Sequence, residues 1–223
     1  GKLGSEAVAA VGSAGFYMNL SWGIASLFTV GSGIKVSHTV GENNTYLAKS
    51  YVRSGIVGIT SVAIFFFLFL AFANNFLISL IHLNNLSIEQ SAKSYLLTVS
   101  VSTLFVFQNL FFSSVFIGYG DSKGPFIINA IALSLNIVLD YLLIFSVHLG
   151  IQGAALATII AQSTATLLFY IKLNQTVGLK PQGIPFQYKL LRQTVKLGIS
   201  PAIQRVTFTI IAILMARIIS EWG

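Results

Sequence analysis

The chain has 223 residues, of which 55% are hydrophobic and only 9% charged, with a formal net charge of +7. Soluble domains carry about a quarter charged residues, so this composition cannot cover a water-exposed surface and its long apolar stretches must face lipid. There is no cysteine, which excludes disulfides, thiolate metal sites and cysteine nucleophiles, and the basic residues are dispersed between apolar stretches rather than gathered into a nucleic-acid footprint.

A helix needs roughly 20 apolar residues to span the hydrocarbon core, and six stretches reach that length. The first, at 7–34, and the fifth, at 152–173, are rich in Gly, Ala and Ser. Small residues let helix backbones approach closely, so these two are expected inside a bundle. Gly41-Glu42-Asn43-Asn44 makes a polar turn before the second stretch, at 54–81, where Ile64 to Leu70 run without a charge. The third, at 95–117, contains Gln108 and Asn109, which either line a pocket or bond between helices. Asp121-Ser122-Lys123-Gly124-Pro125 then stops one helix and starts the next, with Pro125 suited to a first turn.

The fourth stretch, at 125–147, holds the most informative residue. Asp140 lies within Ile137-Val138-Leu139-Asp140-Tyr141-Leu142-Leu143, with apolar residues on both flanks. A carboxylate at the centre of a membrane helix costs about 2.5–3.5 kcal/mol on insertion scales, and such residues usually face a cavity and couple ions or protons. Asn136 sits one turn earlier on the same face, and Asn129 returns to that stripe about three turns back. A carboxyl so placed could take up a proton or pair with Na⁺ through oxygen ligands, and the residues themselves do not choose. In the fifth stretch Thr158 and Gln162 repeat the i, i+4 spacing, as a second polar stripe or as interhelical hydrogen-bonding groups.

The longest polar connection, 174–196, contains Pro181, Gly183 and Pro185 and reads as a joint between two bundles. The sixth stretch, 197–219, would open the second bundle, with Arg205 as the basic residue inside it. The chain begins Gly1-Lys2-Leu3-Gly4 and ends Trp222-Gly223 directly after an apolar stretch, so it is expected to be a piece of a longer protein. Nine basic residues fall on one side of the spans, among them Lys35, Lys49, Arg53, Lys123 and Lys172, against Lys2, Lys93 and Arg217 on the other. The positive-inside rule makes the first side cytoplasmic and puts the start of the chain outside, as one preceding helix would require.

Enzymatic readings find little support. Gly118-Tyr119-Gly120-Asp121-Ser122-Lys123 lacks the Walker spacing and no strand precedes it. No Gly-x-Ser-x-Gly elbow or His-Glu-x-x-His pair is present, no second acid lies within a span, and His38, His82 and His148 lack ligand-type spacing. No cofactor and no resident metal are expected.

Several segments together resemble one family. Gly4-Ser5-Glu6-Ala7-Val8-Ala9-Ala10-Val11-Gly12 resembles the start of the second helix of the multidrug and toxic compound extrusion (MATE) family. Gly118 to Pro125 is similar to its loop between helices four and five. Asn136-Ile137-Val138-Leu139-Asp140 and Gly150-Ile151-Gln152-Gly153-Ala154-Ala155-Leu156-Ala157-Thr158 resemble its fifth and sixth helices, and Leu197-Gly198-Ile199-Ser200-Pro201-Ala202 the opening of its seventh. The resemblance implies an all-α integral membrane protein, a polytopic bundle with six of twelve helices present. Residues 1–173 would form the amino-terminal lobe without its first helix, 174–196 a cytoplasmic linker, and 197–223 the first helix of the carboxy-terminal lobe. It implies a monomeric, multi-pass plasma-membrane antiporter that exports organic, often cationic, compounds against H⁺ or Na⁺. The alternative cargo is that of related flippases, lipid-linked oligosaccharides or peptidoglycan precursors. Asn136, Asp140 and Thr158 match one branch's cation site, which an aspartate on the first helix completes. Another branch places an essential acid in helix seven, and Gln204-Arg205-Val206-Thr207-Phe208-Thr209 has none. Gln108, Asn109, Asn129 and Gln162 are the candidate cavity-lining residues.

Overall fold

The computed structural model describes residues 4–81, 85–176 and 184–222. His82, Lys2, Lys180, Pro181 and Gly183 lie outside them. Among the described residues all regular structure is helical: α1 (Gly4–Gly41), α2 (Thr45–Ser79), α3 (Leu86–Ser100), α4 (Thr103–Gly118), α5 (Lys123–Tyr141), a π-helical turn (Leu142–Ser146), α6 (Ile151–Thr176) and α7 (Tyr188–Trp222). Four single helices are long and apolar enough to cross a membrane, and the α3–α4 pair, bent by 48°, makes a fifth span. The remaining helix, α1, has 38 residues and so the length, about 57 Å at 1.5 Å per residue. Its small and hydroxylic residues dilute its apolarity, and it packs against α2, α3, α4 and α7, the interior place expected of it.

Local chemistry fixes the ends of several helices. Asn44 caps α2 by accepting the Leu47 amide at 3.0 Å, and Asn85 caps α3 through the Ser87 amide at 2.8 Å. Three hydroxyls mark the break between α3 and α4. Ser100 donates to the Leu97 carbonyl at 2.7 Å, Ser102 to Val99 at 2.7 Å and Thr103 to Ser100 at 2.6 Å. Hydroxyls that bond back to carbonyls of the preceding turn bend helices, and three in succession account for the kink.

The core is aromatic. Phe107, Phe111, Phe112 and Phe116 of α4 are fully buried with Phe169 of α6, and Phe112 and Phe116 stack on Phe169 at 6.1 and 6.0 Å between centroids. Phe66 of α2 is 2% exposed against Phe107, while its neighbours Phe65 and Phe72 are 70% and 85% exposed and take the lipid-facing side. One apolar run thus serves both packing and solvation by lipid.

α7 crosses α1 at glycine. A Cβ on Gly31 would overlap the Thr194 carbonyl, and one on Gly198 would overlap that of Leu27. Backbones that close tolerate no side chain between them, which is how small residues bring membrane helices together. α6 ends at Thr176 and α7 begins at Tyr188, so helix reaches into both ends of the expected 174–196 linker. The Gln187 amide donates to Ser54 Oγ at 3.1 Å and the Tyr51 hydroxyl to Gln193, so this start of α7 is tied to α2.

At the end of the bundle rich in basic residues, the turn 119–122 is fastened to α6. Asp121 accepts the Gly124 amide at 2.8 Å and pairs with Lys172 Nζ at 2.9 Å, and Lys172 lies 5.6 Å above the Phe116 ring. The Gly124 amide, then Lys172, hold the Asp121 carboxyl below the usual carboxylate range. The glycine-rich motif is therefore a clasp joining the α4–α5 turn to α6, and its Gly124 leaves room for the ion pair, since a Cβ there would meet the Lys172 ammonium.

Candidate functional site

α5 carries the acid–amide pair. Its start is set by Pro125 in the first turn, where no helical hydrogen bond is lost. Seventeen residues beyond Lys123, the first residue of α5, and about 26 Å along the axis, comes Asp140. The sequence reading sets Asp140 well inside a continuous span, whereas the α-helix proper closes at Tyr141 and a π-helical turn follows. Asp140 therefore stands at the α–π junction. Single π-turns recur at functional sites because they break the regular ladder and re-aim adjacent groups.

The chain reverses after this turn through His148 (φ 61°) and Gly150 (φ 55°), and α6 starts at Ile151. Gly153 lets the first turn of α6 pack directly on the π-turn, since a Cβ there would come within 2.7 Å of the Leu143 carbonyl carbon. That close approach sets the outer ends of α5 and α6 side by side. Asn136 Nδ2 and Asp140 Oδ1 are both buried and have no hydrogen-bond partner among the described residues. Leaving such groups unpaired in an apolar surrounding is costly, so two of them one turn apart on one helix face are the site's defining observation. Thr158 of α6 donates to the Ala154 carbonyl at 3.0 Å, which leaves its oxygen able to accept or ligate.

Tyr95 of α3, nearly fully buried, lies within electrostatic reach of the Asp140 carboxyl. Sequence reasoning passed over it, because a tyrosine at the edge of an apolar stretch reads as an interfacial anchor. Ser94 beside it accepts from Gln152 of α6 at 2.8 Å, which joins α3 to the same end of α6.

Below the pair lies a chamber of about 330 Å³ whose walls include Asn109, Asn129, Asn136, Gln162 and Trp22. Asn109 of α4 is its main strut: Nδ2 donates to Gln162 Oε1 at 2.8 Å and to the Gln162 carbonyl at 3.0 Å, and Oδ1 accepts from Thr166 at 2.8 Å. Asn129 reaches Ser113 at a long 3.5 Å. The structure thus gathers four of the sequence-selected amides around one space. Gln108 is not among them. It donates to Thr60 of α2 at 2.6 Å and lines a separate crevice with Phe105 and Tyr170.

These features define an all-helical integral membrane protein with an acid–amide pair and an amide-lined chamber inside its bundle. Residues 1–142 match the family model MatE, and the chain belongs to that family. It is 30% identical over 194 residues to the probable multidrug resistance protein YpnP of Bacillus subtilis, covering 84% of this chain and 42% of that protein. The probable multidrug resistance protein NorM of Thermotoga maritima is 28% identical over 59% of this chain and 30% of its own length. A solved inward-facing MATE transporter of the MOP superfamily superposes with a TM-score of 0.88, at 18% identity, over 93% of this chain and 48% of that one. The chain spans less than half the length of these relatives, and the last likeness speaks for the fold alone.

Proposed function

We propose that the intact protein containing this chain is a secondary-active multidrug efflux transporter of the plasma membrane, exchanging small organic compounds for H⁺ or Na⁺. The relatives' names carry multidrug resistance, and the observation that supports coupled exchange is the buried Asn136 Nδ2 and Asp140 Oδ1, one turn apart and without partners among the described residues. A cation or proton arriving at Asp140 satisfies the free carboxylate oxygen. Turning the Asn136 amide about its last torsion exchanges nitrogen for oxygen and lets it serve as acceptor or ligand, and the Thr158 oxygen of α6 would supply a further ligand.

Because α5 and α6 are held together at their outer ends by the Gly153 contact, a cation bound between them shifts the wall of the chamber that Asn136 and Gln162 share. Cargo and cation then favour different arrangements of one lobe, and occupancy by one discourages the other. The coupling cation is a transported substrate in this scheme and enters no covalent step. The α1–α7 crossing at Gly31 and Gly198 is the contact across which the two lobes would rock.

The test is efflux of a fluorescent dye from proteoliposomes of the intact transporter under an imposed pH gradient or an imposed Na⁺ gradient. Efflux driven by one gradient and abolished by an ionophore for that ion identifies the coupling ion. Dye movement indifferent to both gradients would reject secondary-active exchange.

A further inference from the structure

Arg205 is the feature that the coupling site leaves unused. It lies nine residues beyond Lys196 on α7, about 13 Å deeper along the axis, within the apolar part of the helix. A guanidinium at such depth is costly and needs a partner or a polar space. Among the described residues it makes no ion pair: Glu42 pairs with His38, Glu89 with Lys93 and Asp121 with Lys172, and Asp140 stands at the other site. Thr209 bonds the Arg205 carbonyl, at 3.0 Å, and leaves the guanidinium uncommitted.

The root of its side chain lies against α1. The position of a Cβ on Gly23 would be 3.4 Å from the Arg205 Cβ, so the two helices touch here and Arg205 leaves α7 beside α1. Arg205, exposed on α7, lines a recess of about 150 Å³ together with Trp22, Ser26, Thr29 and Leu110. Trp22 and Leu110 also line the amide chamber, and Thr29 and Leu110 also line a 710 Å³ groove that runs toward His38. The three spaces share walls. Arg205 therefore stands where a path from the basic-residue end of the bundle meets the chamber, with an indole beside it and neutral amides beyond.

We propose that Arg205 is the anchor for an anionic group on the cargo, so that this transporter takes aromatic organic carboxylates, zwitterions included, in preference to simple monocations. The fixed positive charge attracts the carboxylate and repels an uncompensated cation at the same point. Trp22 offers a face on which an aromatic ring stacks, and Asn109, Asn129 and Gln162 supply neutral donors and acceptors to the rest of the molecule. Guanidinium suits this task because its planar fork meets a carboxylate with two parallel N–H···O bonds. The inference deepens the efflux reading by naming its substrate class, and it rests on that reading only for the direction of movement.

Equilibrium binding separates the two. Fluorescence anisotropy of a carboxylate-bearing xanthene dye and of its methyl ester is titrated with purified intact transporter in detergent, without any gradient. The wild type should bind the free carboxylate more tightly than the ester. Arg205→Gln should lower that preference by about tenfold or more, and Arg205→Lys should retain most of it. Equal affinities in the wild type, a preference that survives Arg205→Gln, or no binding of the carboxylate dye would each overturn the proposal. So would displacement of the dye by phosphatidylglycerol with no carboxylate preference left, which would give the arginine to a lipid phosphate. Retained folding of each variant is read from its own size-exclusion profile and its binding of the methyl ester, and the result holds whether or not Asp140 couples a cation.

Discussion

Asn109 and Gln108 are adjacent amides in one helix, yet their removal should differ about threefold in effect. Asn109→Ala deletes two bonds to Gln162 and one from Thr166, and leaves the Gln162 side-chain oxygen without its donor. Thr166 keeps an alternative acceptor in the Gln162 carbonyl at 3.0 Å. Interhelical hydrogen bonds in a membrane average about 0.6 kcal/mol and reach about 1.7. Three at the average give roughly 2 kcal/mol for Asn109→Ala. Gln108→Ala removes a single bond, to Thr60, and should cost about 0.6 kcal/mol. The assay is reversible unfolding of the intact transporter in mixed micelles, with increasing denaturing detergent. A Gln162→Leu partner completes a double-mutant cycle, in which the Asn109–Gln162 coupling should approach 1 kcal/mol. Equal costs at 108 and 109, or an Asn109→Ala cost below about 0.5 kcal/mol, would refute the assignment of Asn109 as the strut of the chamber.

Three further outcomes follow from the packing. Gly31→Val drives a branched side chain into the Thr194 carbonyl, so it should destabilise by at least the 1–3 kcal/mol roughly typical of overpacking, read as lost folded yield on size-exclusion chromatography. Replacing Ser100, Ser102 and Thr103 together by Val, Ala and Val should reduce the 48° α3–α4 bend, measured by spin-label distances between the helix ends. The folded Asp121 carboxyl titrates below its unfolded value, so its contribution is complete above about pH 4, the unfolded carboxylate range, and is lost as pH falls toward the folded pKa. Acid unfolding of Asp121→Asn should therefore show a shallower pH dependence in that window than the wild type, and Lys172→Ala an intermediate one.

Much of this arrangement is legible in the residues because membranes impose coarse rules. The charge-free run at Ile64–Leu70 becomes the middle of α2, and the Gly/Ala/Ser-rich first stretch becomes the most centrally packed helix. The Asn136–Asp140 stripe was visible because polar residues are rare in lipid-spanning sequence. Other features are hidden for physical reasons. The break at Ser100–Thr103 escapes because hydropathy does not register a hydroxyl that bonds back to its own helix, and the third span consequently begins at Leu86 rather than 95. The early start of α7 escapes because Lys189, Arg192 and Lys196 point outward and read as loop, while Leu190, Thr194 and Gly198 are buried on the opposite side. Neighbouring amides cannot be sorted by sequence alone: Gln108 and Asn109 differ by about 100° around the helix, enough to send one to α2 and the other to α6.

The central claim is that Asp140 couples cargo movement to a cation gradient. Dye efflux from proteoliposomes of the intact transporter, under the gradient that drives the wild type, should be lost in Asp140→Asn while reconstitution and dye binding persist. Efflux at the wild-type rate in Asp140→Asn would contradict the account.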